Sequence, residues 1–314
     1  MDNIYTYDGS GFVESSAYDY DGSLWINELS VTGGDDVIET TDSDGNELLI
    51  HEFTTTSAQT LEVESAPDGW TASAIAVGGG GGGGGNNGNS GPGASGGGGG
   101  GLRYHASISI AGGDTFTITP GAGGTEGGTS SDPDPGADSI IEKNSSELLV
   151  AGGGGAGVSN SNSASGGVGG SGSSTGGDIG GGNGGDGGPA EDNGSGAGGG
   201  GAGGYSGAGG AGNGGSGSGG GAGAGAAVNS KGSNQYSHGA GVGIEGEGTS
   251  GSGGSTSTQA EPGSGGETAT SSRGGLYGGG GGATEDDTSA PGGAGGDGIV
   301  RVIFSENGAA YHNP

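Results

Sequence analysis

Apolar and polar residues alternate along short runs in the first half of the chain and again near its end. Between those runs the alternation gives way to glycine. In Trp70-Thr-Ala-Ser-Ala-Ile-Ala-Val77 the period of two predicts a strand. Trp70, Ala72, Ala74 and Ala76 fall on one face and Ile75 and Val77 on the other. Residues 61–64, 106–110 and 115–119 alternate in the same way, and Ala111-Gly-Gly-Asp114 predicts a tight reversal between the last two runs. Asp44-Gly45 separates the runs 37–41 and 47–53, and both residues tolerate positive φ, which predicts a hairpin. Residues 139–141 and 148–151 predict a second hairpin. Near the end, Gly298-Ile-Val-Arg-Val-Ile-Phe304 is an apolar strand that has to pair with a sheet. No window of helical length carries a 3.6-residue apolar period free of glycine, so almost no α-helix is expected.

From residue 151 to residue 298, 63 of 148 positions are glycine. Ordering a backbone costs roughly 1–2 kcal/mol per residue, and glycine loses the most freedom of all. The few apolar side chains of this tract return only about 1.5–3 kcal/mol each on burial. Two outcomes remain: a disordered Gly/Ser coil, or backbones that pack directly on one another because side chains are absent. The second would be a lattice of polyglycine-II helices, three residues per turn, with N–H groups reaching neighbouring carbonyls. Strands bracket the tract on both sides, which predicts order.

The fold class expected is therefore mainly β plus irregular: an antiparallel β domain with a glycine-rich body of packed polyglycine-II helices. Its predicted parts are an extended docking arm over 1–31, a β domain over 32–151 with the returning strand 298–305, the body over 152–297 and a tail over 306–314. The glycine stretch 78–101 is read as a loop of the β domain. In the arm, Tyr5, Tyr7, Phe12, Tyr18, Tyr20 and Trp25 are candidate anchors, and a first strand with a frayed leader is the alternative.

Composition removes whole classes of function. With 96 glycines, 26% hydrophobic and 5% aromatic residues in 314, most of the length is unlike a globular enzyme. Glycine follows no strict third-residue phase and only 9 prolines are present, so this is not collagen. The balance of 36 acidic against 5 basic residues gives a formal charge of −31, which repels nucleic acid and anionic lipid. Such a surface suits salty water. Cysteine is absent, so no disulfide or thiolate metal site is open to it. The first residues lack the basic and apolar regions of a secretory leader, and release by lysis is the expectation.

Chemical motifs are sparse. Gly93-Ala-Ser-Gly-Gly97 fits the nucleophile-elbow pattern, but glycine-rich chains produce it by chance. His51, His105, His238 and His312 show no metal-ligand spacing, so no metal or cofactor is expected. Asp42-Ser-Asp-Gly-Asn-Glu47 resembles part of a calcium loop, yet the twelve-residue spacing fails. It reads as an acidic hairpin, with an adventitious Ca²⁺ as the lesser alternative. The bulky or amide-rich interruptions of the glycine stand out: Asn86, Asn87, Tyr205, Asn234, Gln235, Tyr236, His238, Leu276 and Tyr277. A close-packed lattice is expected to place them at turns or on its outer face. There they would either bind a carbohydrate or protein receptor or seal the lattice.

The blocks Ala74-Ile-Ala-Val-Gly-Gly-Gly-Gly, Gly100-Gly-Leu-Arg-Tyr-His, Asp114-Thr-Phe-Thr-Ile-Thr-Pro-Gly-Ala-Gly-Gly, Leu148-Leu-Val-Ala-Gly-Gly-Gly-Gly-Ala-Gly and Gly292-Gly-Ala-Gly-Gly-Asp-Gly-Ile-Val-Arg-Val-Ile-Phe carry a resemblance. In this order they resemble glycine-rich tail proteins of marine bacteriophages, over residues 70–304. More loosely, the chain is similar to the receptor-binding adhesin of T-even-type long tail fibres, a stack of polyglycine-II helices with variable loops at one end. The resemblance implies a non-enzymatic virion protein, exposed on the tail or another surface appendage, extracellular once released. It implies contacts with other virion proteins through the N-terminal region, host-surface carbohydrate or outer-membrane protein as receptor, and a homo-oligomer such as a trimer. The alternatives are a rigid virion appendage without receptor binding and an extracellular glycine-rich matrix or fibre protein.

Overall fold

The computed structural model describes residues 4–7, 12–15, 29–42, 45–87, 93–161, 164–175, 179–190, 197–212, 238–244, 273–283 and 289–306. None of the described residues is helical, and two antiparallel six-stranded sheets carry the glycine body at one end. Before them, β1 (Ile4–Tyr7) pairs with β2 (Phe12–Ser15). The first large sheet holds β3 (Ser30–Thr32), β6 (Gln59–Ser65), β10 (Thr115–Thr119), β11 (Ser139–Lys143), β12 (Ser146–Ala151) and β13 (Gly172–Ser174), in the order β13-β12-β11-β10-β6-β3. The second holds β4 (Asp36–Thr41), β5 (Glu47–Phe53), β7 (Trp70–Val77), β9 (Leu102–Ser109), β14 (Ile179–Gly180) and β16 (Ile299–Glu306), in the order β14-β9-β7-β16-β5-β4. A small pair joins β8 (Asn86–Asn87) to β15 (Ser289–Ala290).

The alternation read from the sequence sets both faces of the second sheet. Ala72, Ala74 and Ala76 of β7 point with Val302 and Phe304 into the sandwich core, against Leu61, Phe116 and Ile141 of the first sheet. Three phenylalanines, Phe53, Phe116 and Phe304, are fully buried there, and the small alanines of β7, with Ala72 directly opposite Phe304 in the same sheet, leave them room. Ile75, Val77 and Ile299 point the other way into a second apolar cluster. The returning strand is central: β16 pairs with β7 on one side and β5 on the other. Its Arg301 lies opposite Glu52, donates to Glu52 Oε1 from Nε at 2.9 Å and from Nη2, and reaches the Ile244 carbonyl from Nη1 at 3.2 Å. The sheet thus has one strand drawn from the far end of the glycine tract.

Turn chemistry follows the sequence at two hairpins. β4 and β5 close through Gly45 at φ 87°, and β11 and β12 through Asn144 and Ser145 at φ 51° and 63°. The tight reversal expected at residues 111–114 is present, with Asp114 N donating to the Ala111 carbonyl at 3.1 Å. It does not join partners, because β9 belongs to the second sheet and β10 to the first. It is a corner between layers, closed by Ala111 N donating to the Asp114 carboxylate at 2.8 Å, by Gly113 N donating to the Val63 carbonyl at 2.7 Å and by Val63 N donating to the Asp114 carbonyl at 2.9 Å. Burial alone would raise the Asp114 pKa, but the Lys143 ammonium, the Asn144 amide and the Ala111 N–H together hold it below the ordinary value.

A second carboxylate ties the two sheets together at the glycine end. Asp35 accepts from Thr54 N at 2.6 Å, Thr55 N at 2.7 Å and Gln59 Nε2 at 3.2 Å, which joins the β3–β4 crossing to the β5–β6 loop. Slight burial pushes its pKa up, and the backbone N–H groups of Thr55 and Thr54 with the Gln59 and Thr55 side chains outweigh it, bringing it to about 2.

Candidate functional site at the distal face of the glycine lattice

The segment 78–85 leaves β7 and shows how the body is built. Its N–H groups point in turn to three neighbours, with a period of three. Gly78, Gly81 and Gly84 donate to the carbonyls of Gly101, Gly98 and Ser95 at 2.8–3.0 Å. Gly79 and Gly82 donate to Ala137 and Asp134, and Gly80 and Gly83 to Gly296 and Gly293. Three further neighbours donate back: Gly124 and Gly127 to Gly80 and Gly83, Gly154 and Gly157 to Gly79 and Gly82, and Gly281 to Gly81. Three donor and three acceptor directions around one rod are the hexagonal surroundings of a polyglycine-II lattice. Residues 78–85 are all buried, and a Cβ on Gly81 would lie inside the surface of the Gly155 carbonyl. Segments 78–85 and 95–101 therefore lie inside the lattice, because only side-chain-free backbone admits six neighbours at hydrogen-bond distance.

Direction in the lattice is inherited from the sheets. Segments 78–85, 121–128 and 152–158 continue β7, β10 and β12 outward; segments 95–101, 133–137 and 292–298 return into β9, β11 and β16. Bond partners rise together between the outward segments and run oppositely between outward and returning ones. Where a rod lacks a neighbour, an acidic or hydroxyl side chain takes the vacant N–H. Asp138 accepts from Gly153, Asp186 from Gly169 and Asp297 from Gly123, each at 2.8 Å, and Ser139 Oγ accepts from Gly121 at 2.7 Å. Part of the acidic composition is thus lattice edge.

All outward rods turn back at the end farthest from the sandwich. There the described loops are bonded to one another. Asn160, at φ 48°, accepts from Asn87 N on Oδ1 at 3.0 Å and donates from Nδ2 to the Thr129 carbonyl at 3.0 Å. Ser159 Oγ accepts from Gly85 N and donates to the Ser131 carbonyl at 2.9 Å, while Ser159 N donates to Asp132 Oδ1 at 3.0 Å. Asn87, Ser130, Ser131 and Asp132 remain exposed around this frame. The face offers amides, hydroxyls and a carboxylate on fixed supports, a set able to hydrogen-bond the hydroxyls of a sugar.

The residues singled out in the sequence do not form one site. Asn86 and Asn87 lie at the distal end, Asn86 fully buried and Asn87 exposed. His238 is also distal but buried, with Nδ1 accepting from Gly282 N at 3.0 Å, and Gly293 lacks the Cβ that would collide with its ring. Tyr205 lies at the opposite end, 4% exposed, packed on Ile75, Val77 and Leu102 with its ring 6.0 Å from that of Tyr104. Tyr277 packs half-buried on the same cluster, beside half-buried Leu276. Tyr205 and Leu276-Tyr277 thus lie at turns, as expected, while Asn86, Tyr205 and His238 are buried and not on an outer face: glycine opposite a ring, or a sheet face, makes interior room for bulk. Asn234, Gln235 and Tyr236 lie outside the described residues, as do Tyr18, Tyr20 and Trp25, while Tyr5, Tyr7 and Phe12 fall in β1 and β2. Asn160, Ser159, Ser131 and Asp132 carry the distal frame, and the break in glycine at Val158-Ser-Asn-Ser was the signal for two of them.

Among the described residues Ser95 does not have the nucleophile-elbow setting. It is buried in a returning rod, not on a strand-to-helix turn, and its Oγ accepts from Val158 N at 2.8 Å. Among the described residues no group of three or more His, Asp or Glu is placed to hold a metal ion. The Asp42 carboxylate is occupied within its own hairpin by Asn46 N and Nδ2, at 2.9 and 2.8 Å.

A family model described as a glycine-rich domain matches residues 54–305, which takes in the lattice and the strands of both large sheets from β6 onward, but not β3, β4 and β5. No curated protein matches the chain.

Proposed function

The chain belongs to the glycine-rich domain family, and from there we propose that it is a non-enzymatic structural protein of a bacteriophage particle. In this reading it is a tail-fibre or tail-tip adhesin, exposed on the virion, that holds its distal loops against host-surface carbohydrate or an outer-membrane protein. The observation that carries the reading is the continuity of strand and rod. Three outward rods, 78–85, 121–128 and 152–158, prolong sandwich strands, so the loops at their distal ends stand at set spacings on a hydrogen-bonded body. Preorganised hydrogen-bonding groups bind with less ordering cost than mobile ones. The block resemblance to phage tail proteins and the charge of −31, unsuited to nucleic acid, point the same way.

A second reading is a rigid appendage without receptor binding. It is favoured by one observation: Asn160, Ser159 and Asp132 spend their hydrogen bonds on neighbouring backbone. Particles carrying Asn87→Ala with Ser130→Ala, exposed residues whose side chains are not part of the frame just described, separate the two. Receptor binding at the face predicts normal assembly and melting with adsorption to host cells lost. Normal adsorption would leave the appendage reading standing.

A further inference from the structure

The end of the sandwich opposite the lattice holds a feature that the distal reading does not use. β4 is the last strand of the second sheet, and all six of its residues are exposed. Val37 is 48% exposed and Ile38 37%, and as consecutive strand residues they put apolar surface on both faces of the edge. Asp42 N donates to the Asn46 carbonyl at 3.0 Å, so bonded pairs with β5 recur at every second residue back along β4. That alternation turns the backbone of Val37, Glu39 and Thr41 away from β5. The Asp36 carboxylate takes the Val37 N–H at 2.9 Å, leaving Glu39 and Thr41 facing outward. Edge strands are usually blunted by lysine, proline or a bulge, and β4, with the sequence Asp-Val-Ile-Glu-Thr-Thr, has none.

Beside this edge the sandwich is open, because β3 on the facing sheet has 3 residues against 6 in β4. The opening is a cleft of about 830 Å³, walled by Leu29, Leu48, Leu49 and Trp70 and rimmed by Glu39, Glu47 and Glu306. We propose that the β4 edge and this cleft dock an extended, basic segment of a second protein, which adds to the sheet as a further strand. Main-chain bonds to Glu39 and Thr41 would give affinity, and lysine or arginine side chains would meet the three carboxylates and the Trp70 ring.

Charge decides between occupants. A second copy of this chain is a poor match: Arg103, Lys143, Arg273 and Arg301 are engaged with Asn183, Asp114, Asp297 and Glu52, and only Lys231 lies outside the described residues. The chain's own leading segment brings Asp19, Asp21 and Glu28 and no cation. The partner is therefore a different and basic polypeptide. The inference deepens the attachment half of the adhesin reading, but its readout lies at the opposite end from the distal loops, so either can fail alone.

The test uses the full chain carrying Trp25→Phe, in which Trp70 is the remaining tryptophan, and a synthetic peptide of β4 length that alternates valine and lysine. Expected are a saturable change in Trp70 emission, a weakening of binding as salt is raised, and slowed hydrogen exchange at the Glu39 and Thr41 amides. A valine–glutamate peptide should leave all three unchanged. Glu39→Pro, tolerated on the outward side of an edge strand, should weaken binding about tenfold. Glu39→Gln with Glu47→Gln should weaken it while leaving the fold untouched. Equal response to both peptides, or none to the lysine peptide, overturns the proposal. So does protection of the Glu39 and Thr41 amides in the full chain alone, which would mean that the edge is already covered by its own arm or by a second copy.

Discussion

The sandwich and the lattice solve the same problem in opposite ways. In the sandwich the backbone pairs within each sheet and the side chains between sheets make the core, as Phe53, Phe116 and Phe304 do. In the lattice the backbone itself is the core, bonded outward in three donor directions, and side chains are confined to its edges, ends and a few glycine-lined recesses. Hydrophobic burial, about 25 cal/mol per Å² of apolar surface, is available to the first and largely closed to the second. The lattice must instead draw on close backbone packing and satisfied hydrogen bonds, and on rods whose ends the sandwich already holds in place. A weakly driven structure is thus stabilised by being continuous with a strongly driven one.

That contrast can be broken at its centre first. Gly81→Val should cost more than Phe304→Ala, for which about 3–5 kcal/mol is expected from the cavity, because the valine has no space at all beside the Gly155 carbonyl. Even Gly81→Ala should destabilise, although such a change in a free coil would stabilise by about 0.4–1 kcal/mol through the unfolded state. Urea melts of the three variants check the order. A Gly81→Ala protein as stable as the parent would mean that the rods are not packed as described.

A smaller effect sharpens the role of the lattice edge. Asp138→Ala leaves the Gly153 N–H without its acceptor and should cost about 1 kcal/mol, the carboxylate being exposed. Hydrogen exchange should quicken at Gly153 while the neighbouring Gly154, which donates to Gly79, stays protected. Equal protection at Gly153 in both proteins would show that the carboxylate is dispensable.

The smallest effect concerns the joint between sheets. The Asp35 pKa is lowered from 3.8 to about 2, so its contribution to stability is complete above pH 4 or so and is lost as pH falls toward 2. Asp35→Asn should flatten that part of the stability–pH curve and lower stability modestly at neutral pH, where the contribution is complete. An unchanged acid limb in the variant would assign the slope to other carboxylates.

How much of this was legible depended on whether side chains carried the information. The faces of β7, the hairpin at Gly45, the hairpin between β11 and β12 and the need for β16 to join a sheet all follow from apolar alternation and turn residues, which act over a few positions. Residues 111–114 form the tight reversal that the sequence predicts, but a tight turn looks the same whether its two strands pair or part into different layers, and here they part. Tyr205 shows the same limit on the site. Nothing local distinguishes a tyrosine that greets a ligand from one that covers the outer face of a sheet, and here it packs on Ile75, Val77 and Leu102.

The sequence by itself determined the class of the molecule: strands where residues alternate, no helix, and a body that could be ordered only by backbone packing. Glycine is obligatory in the rod 78–85, where six neighbours exclude a Cβ, while Ala202, Ala240 and Ala283 are buried elsewhere in the body. Which rods are neighbours was decided only in three dimensions. Glycine segments are chemically alike and carry no side chain to mark a partner or a register, so 78–85 has nothing of its own to select 95–101 over any other run. The selection comes from the strands to which the rods are joined, whose side chains do encode pairing, and the lattice takes its directions and spacings from them.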